Sequence, residues 1–133
     1  MYDPVLMVSL THYTQAVISE GIRMLPPITL GFPKRVPPQG DTILGKFVPG
    51  GTDVFVNMSS LFLDKDVFGN DVEIFRPERF VEVSKERRAF LHKHIDLVFG
   101  YGRWSCVGKV LAWIELNKIL VEVSFPAHVS ESR

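Results

Sequence analysis

One stretch of the chain concentrates residue types that do chemistry, Phe99-Gly-Tyr-Gly-Arg-Trp-Ser-Cys-Val-Gly108. Cys106 is the single cysteine among 133 residues. Gly100 and Gly102 let a loop fold tightly and bring its backbone close to a flat ligand. Cys106 falls where an apolar helical pattern begins. There, unpaired backbone N–H groups and the positive end of the helix dipole favour a thiolate and can hydrogen-bond its sulfur. Those are the conditions an iron-bound thiolate needs. Without the glycines, a lone cysteine reads as an inert buried residue; the glycine pattern turns the reading toward ligation.

A second group is ionic. Glu20 and Arg23 stand three apart on a predicted helix and so share a face. Glu20 also falls in the stripe Tyr13, Ala16, Val17, Glu20, Gly21 and Met24. On a solvated face the pair is an ordinary ion pair worth about 0.2–0.5 kcal/mol. On a buried face the carboxylate must be compensated, and Arg79 in the segment Pro77-Glu-Arg-Phe80 is a candidate third member. His92 and His94 alternate before the cysteine loop. They lack a clear third ligand, and His92-Lys-His-Ile95 reads as a solvated loop. His12 and His128 carry no context.

These residues must be positioned by the elements around them. The first helix is predicted from near Thr11, a permissible N-cap, to Leu25, because Pro26-Pro27 disfavours helical geometry before it. Asp41–Gly45 and Thr52–Val56 then read as the strands of a β-hairpin around Phe47-Val-Pro-Gly-Gly51. From Asp64 to about Lys93 the chain is charged, aromatic and aperiodic, so mostly irregular with short helices. A stretch that long is held down by something large or is functional. The last helix is predicted from just after Cys106 to about Val123, with Val107, Val110, Leu111 and Ile114 at helical spacing. It is apolar nearly all round, as in a helix buried within a larger protein.

Composition narrows the class. An apolar content of 46% is enough to fill a core. The 15 basic and 15 acidic residues cancel and form no block, so no nucleic-acid footprint is indicated. One cysteine excludes a disulfide framework and a multi-cysteine zinc site. Met1–Ser9 is too short and too interrupted for a signal peptide or a membrane anchor. No repeat or low-complexity tract is present.

In this order the motifs resemble the cytochrome P-450 family over roughly residues 9–123. The landmarks are ExxR as Glu20 and Arg23, the PERF segment as Pro77, Glu78, Arg79 and Phe80, and FxxGxxxCxG as Phe99, Gly102, Cys106 and Gly108. The words FGYGRW and AWIELNK look most like fungal members, including pisatin demethylase-like enzymes. The resemblance implies an α+β, mainly helical fold, namely the C-terminal part of the P-450 fold with ExxR helix, small β region, meander, cysteine loop and final helix. It implies haem b held by Cys106 as the axial iron ligand, with Phe99 on the thiolate side and Gly100, Gly102 and Gly108 shaping the loop. Glu20, Arg23 and Arg79 would form a structural triad that secures this loop. Arg35 matches a position where the family often sets an Arg or His against a haem propionate.

The chain also departs from the pattern. Many members carry Arg or His two residues before the cysteine, where this chain has Trp104, with Arg103 one place earlier; either is a candidate for a propionate contact. The distal helix and substrate loops of the family would precede Glu20, and the tail 124–133 does not look like the family's final β region. Residues 1–133 thus read as a truncated haem-binding domain. The resemblance implies a monooxygenase that inserts oxygen from O2 into a small organic substrate, in fungal secondary metabolism or detoxification. An NADPH-dependent reductase would serve it at the endoplasmic-reticulum membrane. The competing expectation is a catalytically silent relic with weak haem binding at most.

Overall fold

Proline opens the first helix. The structure is a computed structural model and describes residues 4–124, with side chains from Thr11 onward. Helix α1 runs Pro4–Met24, and its first position suits a proline, whose missing N–H would have no intrahelical partner there. The helix starts earlier than the predicted Thr11, which lies inside it: Val5, Leu6, Met7 and Val8 continue the helix upstream without a breaker. It ends just before Pro26-Pro27 as expected, with Leu25 N still donating to Gly21 O at 2.9 Å.

The extended region pairs differently from the sequence reading. Strands β1 (Lys34–Arg35) and β4 (Asp53–Val54) form one antiparallel pair, and β2 (Asp41–Ile43) and β3 (Lys46–Val48) another. The hairpin therefore joins residues 41–43 to 46–48, not to 52–56. Leu44 and Gly45 take φ of 49° and 76°, the type I′ pattern whose twist matches that of paired strands. The predicted Gly50-Gly51 turn instead returns the chain to β1, with Gly51 N donating to Val36 O at 3.0 Å and Val36 N to Thr52 O at 2.9 Å.

Polar caps then punctuate the chain. Asn57 caps α2 (Met58–Phe62), Asp64 caps α3 (Lys65–Phe68), and Ser84 caps α4 (Lys85–Ile95), each side chain accepting a backbone N–H of the first turn. Pro77–Phe80 forms a 3-10 helix. The region 64–93 has the short helices expected of it, but α4 is longer than predicted and includes His92–Ile95. Its few apolar positions hid it. Leu91 and Ile95, one turn apart, are fully buried, while the remaining residues are mostly charged.

Ala16, Phe62, Phe80, Leu91, Ile95 and Val98 make the centre of the core. Helix α5 (Lys109–Ser124) leans Trp113, Leu116 and Leu120 on that core, and Gln15 on α1 donates to Asn117 on α5. Its other apolar face, including Val110, Leu111 and Ile114, is exposed. No helix among the described residues is long and apolar enough to cross a membrane. The readings made for Met1–Asp3 and for residues 125–133 lie outside the described residues.

Candidate functional site

The cysteine loop is closed by its own backbone. Cys106 N donates to Phe99 O at 2.7 Å, so the two ends of the segment meet. Between them Gly100 has φ 77°, and a Cβ there would lie 2.4 Å from Trp104 O, so only glycine fits without moving the backbone. Gly102, at φ 60°, faces open space. Lys109 N donates to Cys106 O at 3.3 Å and Ala112 N to Gly108 O at 2.9 Å, which starts α5 directly from the loop. A Cβ on Gly108 would lie 3.7 Å from Cys106 Sγ, in ordinary contact. Phe99 is half-buried with its ring 6.3 Å from that of Trp113. Cys106 itself is exposed.

Beside the loop lies a cleft of about 550 Å³ between it and the strand region, with Phe32, Val54, Phe55 and Met58 on one wall and Leu97, Tyr101 and Trp104 on the other. Trp104 is flanked by two cations. Lys34 Nζ sits 4.1 Å from the ring centroid and Arg103 Cζ 5.0 Å. Arg35 faces elsewhere: its Nε and Nη2 donate to the two carboxylate oxygens of Asp53 at 2.9 and 3.0 Å, which holds that carboxyl below its usual range. Sequence reasoning missed Lys34, although side-chain alternation along β1 requires it to point opposite to Arg35.

The ionic group is built into the core. Glu20, Arg23 and Arg79 are 0%, 1% and 3% exposed. Arg23 Nε and Nη2 donate to Glu20 Oε2 and Oε1 at 2.8 Å each, a bidentate pair. Arg79 Nε reaches Oε1 at 3.3 Å, and Arg76 N donates to the same oxygen at 3.0 Å. The remaining guanidinium donors meet Phe62 O, Phe68 O, Ile74 O and Asp71. Asp71, which no motif signalled, accepts from Arg79 at 2.7 Å and Arg76 at 2.6 Å. These hydrogen bonds lower its pKa to about 2. The network is thus not a solvated pair. It ties α1 to residues 62–79, and reaches the cysteine loop through the shared core, where Leu91, Ile95 and Val98 lead into Phe99. The buried face of α1 also differs from the predicted stripe: Ser19 and Ile22 join it, while Tyr13 is exposed and donates to Glu78 at 2.8 Å.

His92 and His94 do not converge. His92 Nδ1 lies 3.3 Å from Ser19 Oγ, whereas His94 Nδ1 lies 2.8 Å from Phe90 O. Burial pushes the pKa of His92 down. No group of three metal-ligating side chains is present among the described residues.

These residues fit a haem. A soft thiol stands accessible at the end of a loop that exposes glycine backbone, and thiolates are established haem-iron ligands. Next to it the helical stripe Val107, Val110, Leu111 and Ile114 is exposed together with Tyr101 and Trp104. On α5 the exposed apolar side chains Val110, Leu111 and Ile114 fall within one helical turn of each other, an apolar patch of the kind that marks a binding surface.

The family model described as Cytochrome P450 matches residues 5–123. The cytochrome P-450 monooxygenase abl1 of Leptosphaeria maculans is 50% identical over 110 residues, covering 83% of this chain and 19% of the relative. The monooxygenase aba1 of Botryotinia fuckeliana is 48% identical over 84% of the chain and 22% of its own length. Pisatin demethylase of Fusarium vanettenii is 38% identical over 84% and 21%. The chain spans about a fifth of the length of these curated relatives. With a family pattern running from α1 through the cysteine loop to α5, the chain belongs to the cytochrome P-450 family.

Proposed function

We propose that this chain forms the proximal, thiolate-bearing side of a haem monooxygenase acting on a small organic substrate, with Cys106 as the axial ligand of haem b. The observation that carries the reading is the exposed thiol of Cys106 at the junction of a glycine-shaped loop and an uncovered apolar helix face. Bound haem supplies the activation of O2 and the insertion of one oxygen atom, with electrons from an NADPH-dependent reductase. Cys106 would hold the haem iron through its sulfur, and a thiolate ligand is the kind that favours O–O cleavage. Phe99 closes the loop through its carbonyl, and Gly100 lets the chain pass beneath Trp104 O. Glu20, Arg23 and Arg79 act structurally by fixing α1 against the segment that leads to the loop.

The fungal relatives support a place in secondary metabolism or detoxification, and the family supports the endoplasmic-reticulum membrane as the setting. The competing reading is a catalytically silent relic or fragment that binds haem weakly at most. The test is the red-shifted absorption band of the reduced carbon monoxide complex in the haem-loaded protein. It is expected with Cys106 and lost in Cys106→Ser. Retention of the band in that variant would reject the assignment.

A further inference from the structure

We infer that Asp96 and Lys109 are a positioning pair, an ionic latch across the neck of the cysteine loop that sets how Cys106 is presented to the haem iron. The inference deepens the haem reading above and rests on it where iron is concerned; the latch itself does not.

The loop hangs between the 3-10 helix Asp96–Phe99 and the start of α5 at Lys109. Its inner closure is the backbone bond from Cys106 N to Phe99 O at 2.7 Å. Just outside that closure, Lys109 Nζ meets Asp96 Oδ2 at 2.8 Å. The same ammonium lies 6.0 Å from the centroid of the Phe99 ring, at the edge of cation–π range. Two closures therefore cross the same neck of chain, one through backbone and one through side chains.

The first turn of α5 has little else to hold it. Val110 and Leu111 are exposed, and the apolar side chains of this helix that pack on the core begin at Trp113. The side-chain bond from Gln15 reaches α5 only at Asn117. Lys109 thus ties the Cys106 end of the helix to the body of the protein. Asp96 is a firm anchor for it, because its own N–H donates to His92 O at the end of α4 and its neighbour Ile95 is fully buried. Among the described residues, neither charge has a second ion-pair partner. The two side chains are 38% and 40% exposed, so the pair adds little to global stability and its effect is local.

Cys106 is the only cysteine, so isotope labelling of cysteine nitrogen gives one amide resonance. Its hydrogen exchange in the haem-free full chain reads the opening of the inner closure. Lys109→Met and Asp96→Asn should each speed this exchange roughly threefold, the scale for an ion pair of this exposure, with the unfolding midpoint in place. A change of local charge alone would move the two variants in opposite directions, because a nearby cation favours and a nearby anion disfavours attack by hydroxide. Lys109→Arg, and the reversed pair Asp96→Lys with Lys109→Asp, should restore the wild-type rate. In the haem-loaded chain, reduced under carbon monoxide, each single loss should divert absorbance from the red-shifted thiolate band to the unshifted one, and the reversed pair should return it. Exchange that is unchanged in both single variants or moves oppositely in them, a reversed pair that does not recover, or faster exchange with an undisturbed thiolate band, overturns the proposal. The haem reading fails separately if wild type gives no thiolate band, and the iron-presenting role falls with it.

Discussion

The amide of Cys106 and the carbonyl of Phe99 are joined at 2.7 Å, so the residue bearing the thiol and the aromatic residue that opens the motif close one loop. The closure depends on how the chain turns immediately after Phe99. Gly100 makes that turn at a positive φ, with Trp104 O where a side chain would begin. Gly100→Ala should therefore cost about 1–3 kcal/mol from the positive-φ extended backbone alone, a region used essentially only by glycine, and haem uptake should fall with it. Thermal unfolding and the haem absorbance of the purified variant check both; a variant with unchanged melting and full haem content contradicts the role.

Glu20 is the hub at which two guanidinium groups and the Arg76 amide converge. Glu20→Ala would leave Arg23 and Arg79 buried without their common carboxylate, a loss of roughly 3–5 kcal/mol. Folded yield and haem incorporation should drop together. A well-folded, haem-loaded variant that had lost turnover alone would show that Glu20 acts in the chemistry instead.

How far the sequence disclosed the site depends on whether a partner is near in sequence or announced by type. Glycines flanking a lone cysteine mark a loop that must be tight, and Glu20 with Arg23 share a helix face, so both were legible. Asp71 and Lys34 were not. Asp71 gains its meaning from Arg79 and Arg76 in an aperiodic stretch, and Lys34 from an indole 70 positions along the chain. The strand pairing was misread because Gly50-Gly51 is a strong turn signal while Leu44 is a poor one. The length of helix α4 was not legible because two buried positions, Leu91 and Ile95, make too weak a period.

Acid should weaken the fold in two separable steps. His92 has its pKa pushed down from 6.5, mainly by burial and further by Arg88, against an opposing pull from Asp96. A depressed pKa means the neutral ring is preferred in the folded state, so its contribution is complete above the unfolded value and is lost as pH falls through the folded one. Asp71, lowered from 3.8 to about 2 by hydrogen bonds from Arg79 and then Arg76, follows the same sign: its contribution is present above 3.8 and is lost as pH approaches 2. Chemical unfolding at stepped pH should show a mildly acidic loss that His92→Gln flattens. A second loss below about pH 4 should be flattened by Asp71→Asn.

Leu44 holds φ 49° in the two-residue β2–β3 turn while its side chain is 98% exposed, so it carries a backbone cost with no packing return. Asn-Gly is the favoured pair for this turn type because asparagine tolerates the left-handed region. Leu44→Asn should raise stability by up to about 1 kcal/mol and leave haem affinity unchanged. A lower melting temperature would show that the Leu44 side chain makes a stabilising contact.

Val110, Leu111 and Ile114 form an exposed stripe on α5, beginning just beyond Cys106, while Trp113, Leu116 and Leu120 on the other side lean on the core. A folded chain with this much contiguous apolar surface lowers its free energy by covering it. Residues 1–133 in isolation should therefore self-associate as concentration rises, and bound haem should lessen this by occupying part of the surface. Because the stripe contributes little to the core, Val110→Lys with Ile114→Lys should abolish self-association in sedimentation experiments while shifting the unfolding midpoint only slightly, within the roughly 0.5 kcal/mol usual for surface changes. A double variant that unfolds instead would place these two side chains in the core, and a wild-type chain that stays monomeric at high concentration would show that the stripe is covered by the chain itself.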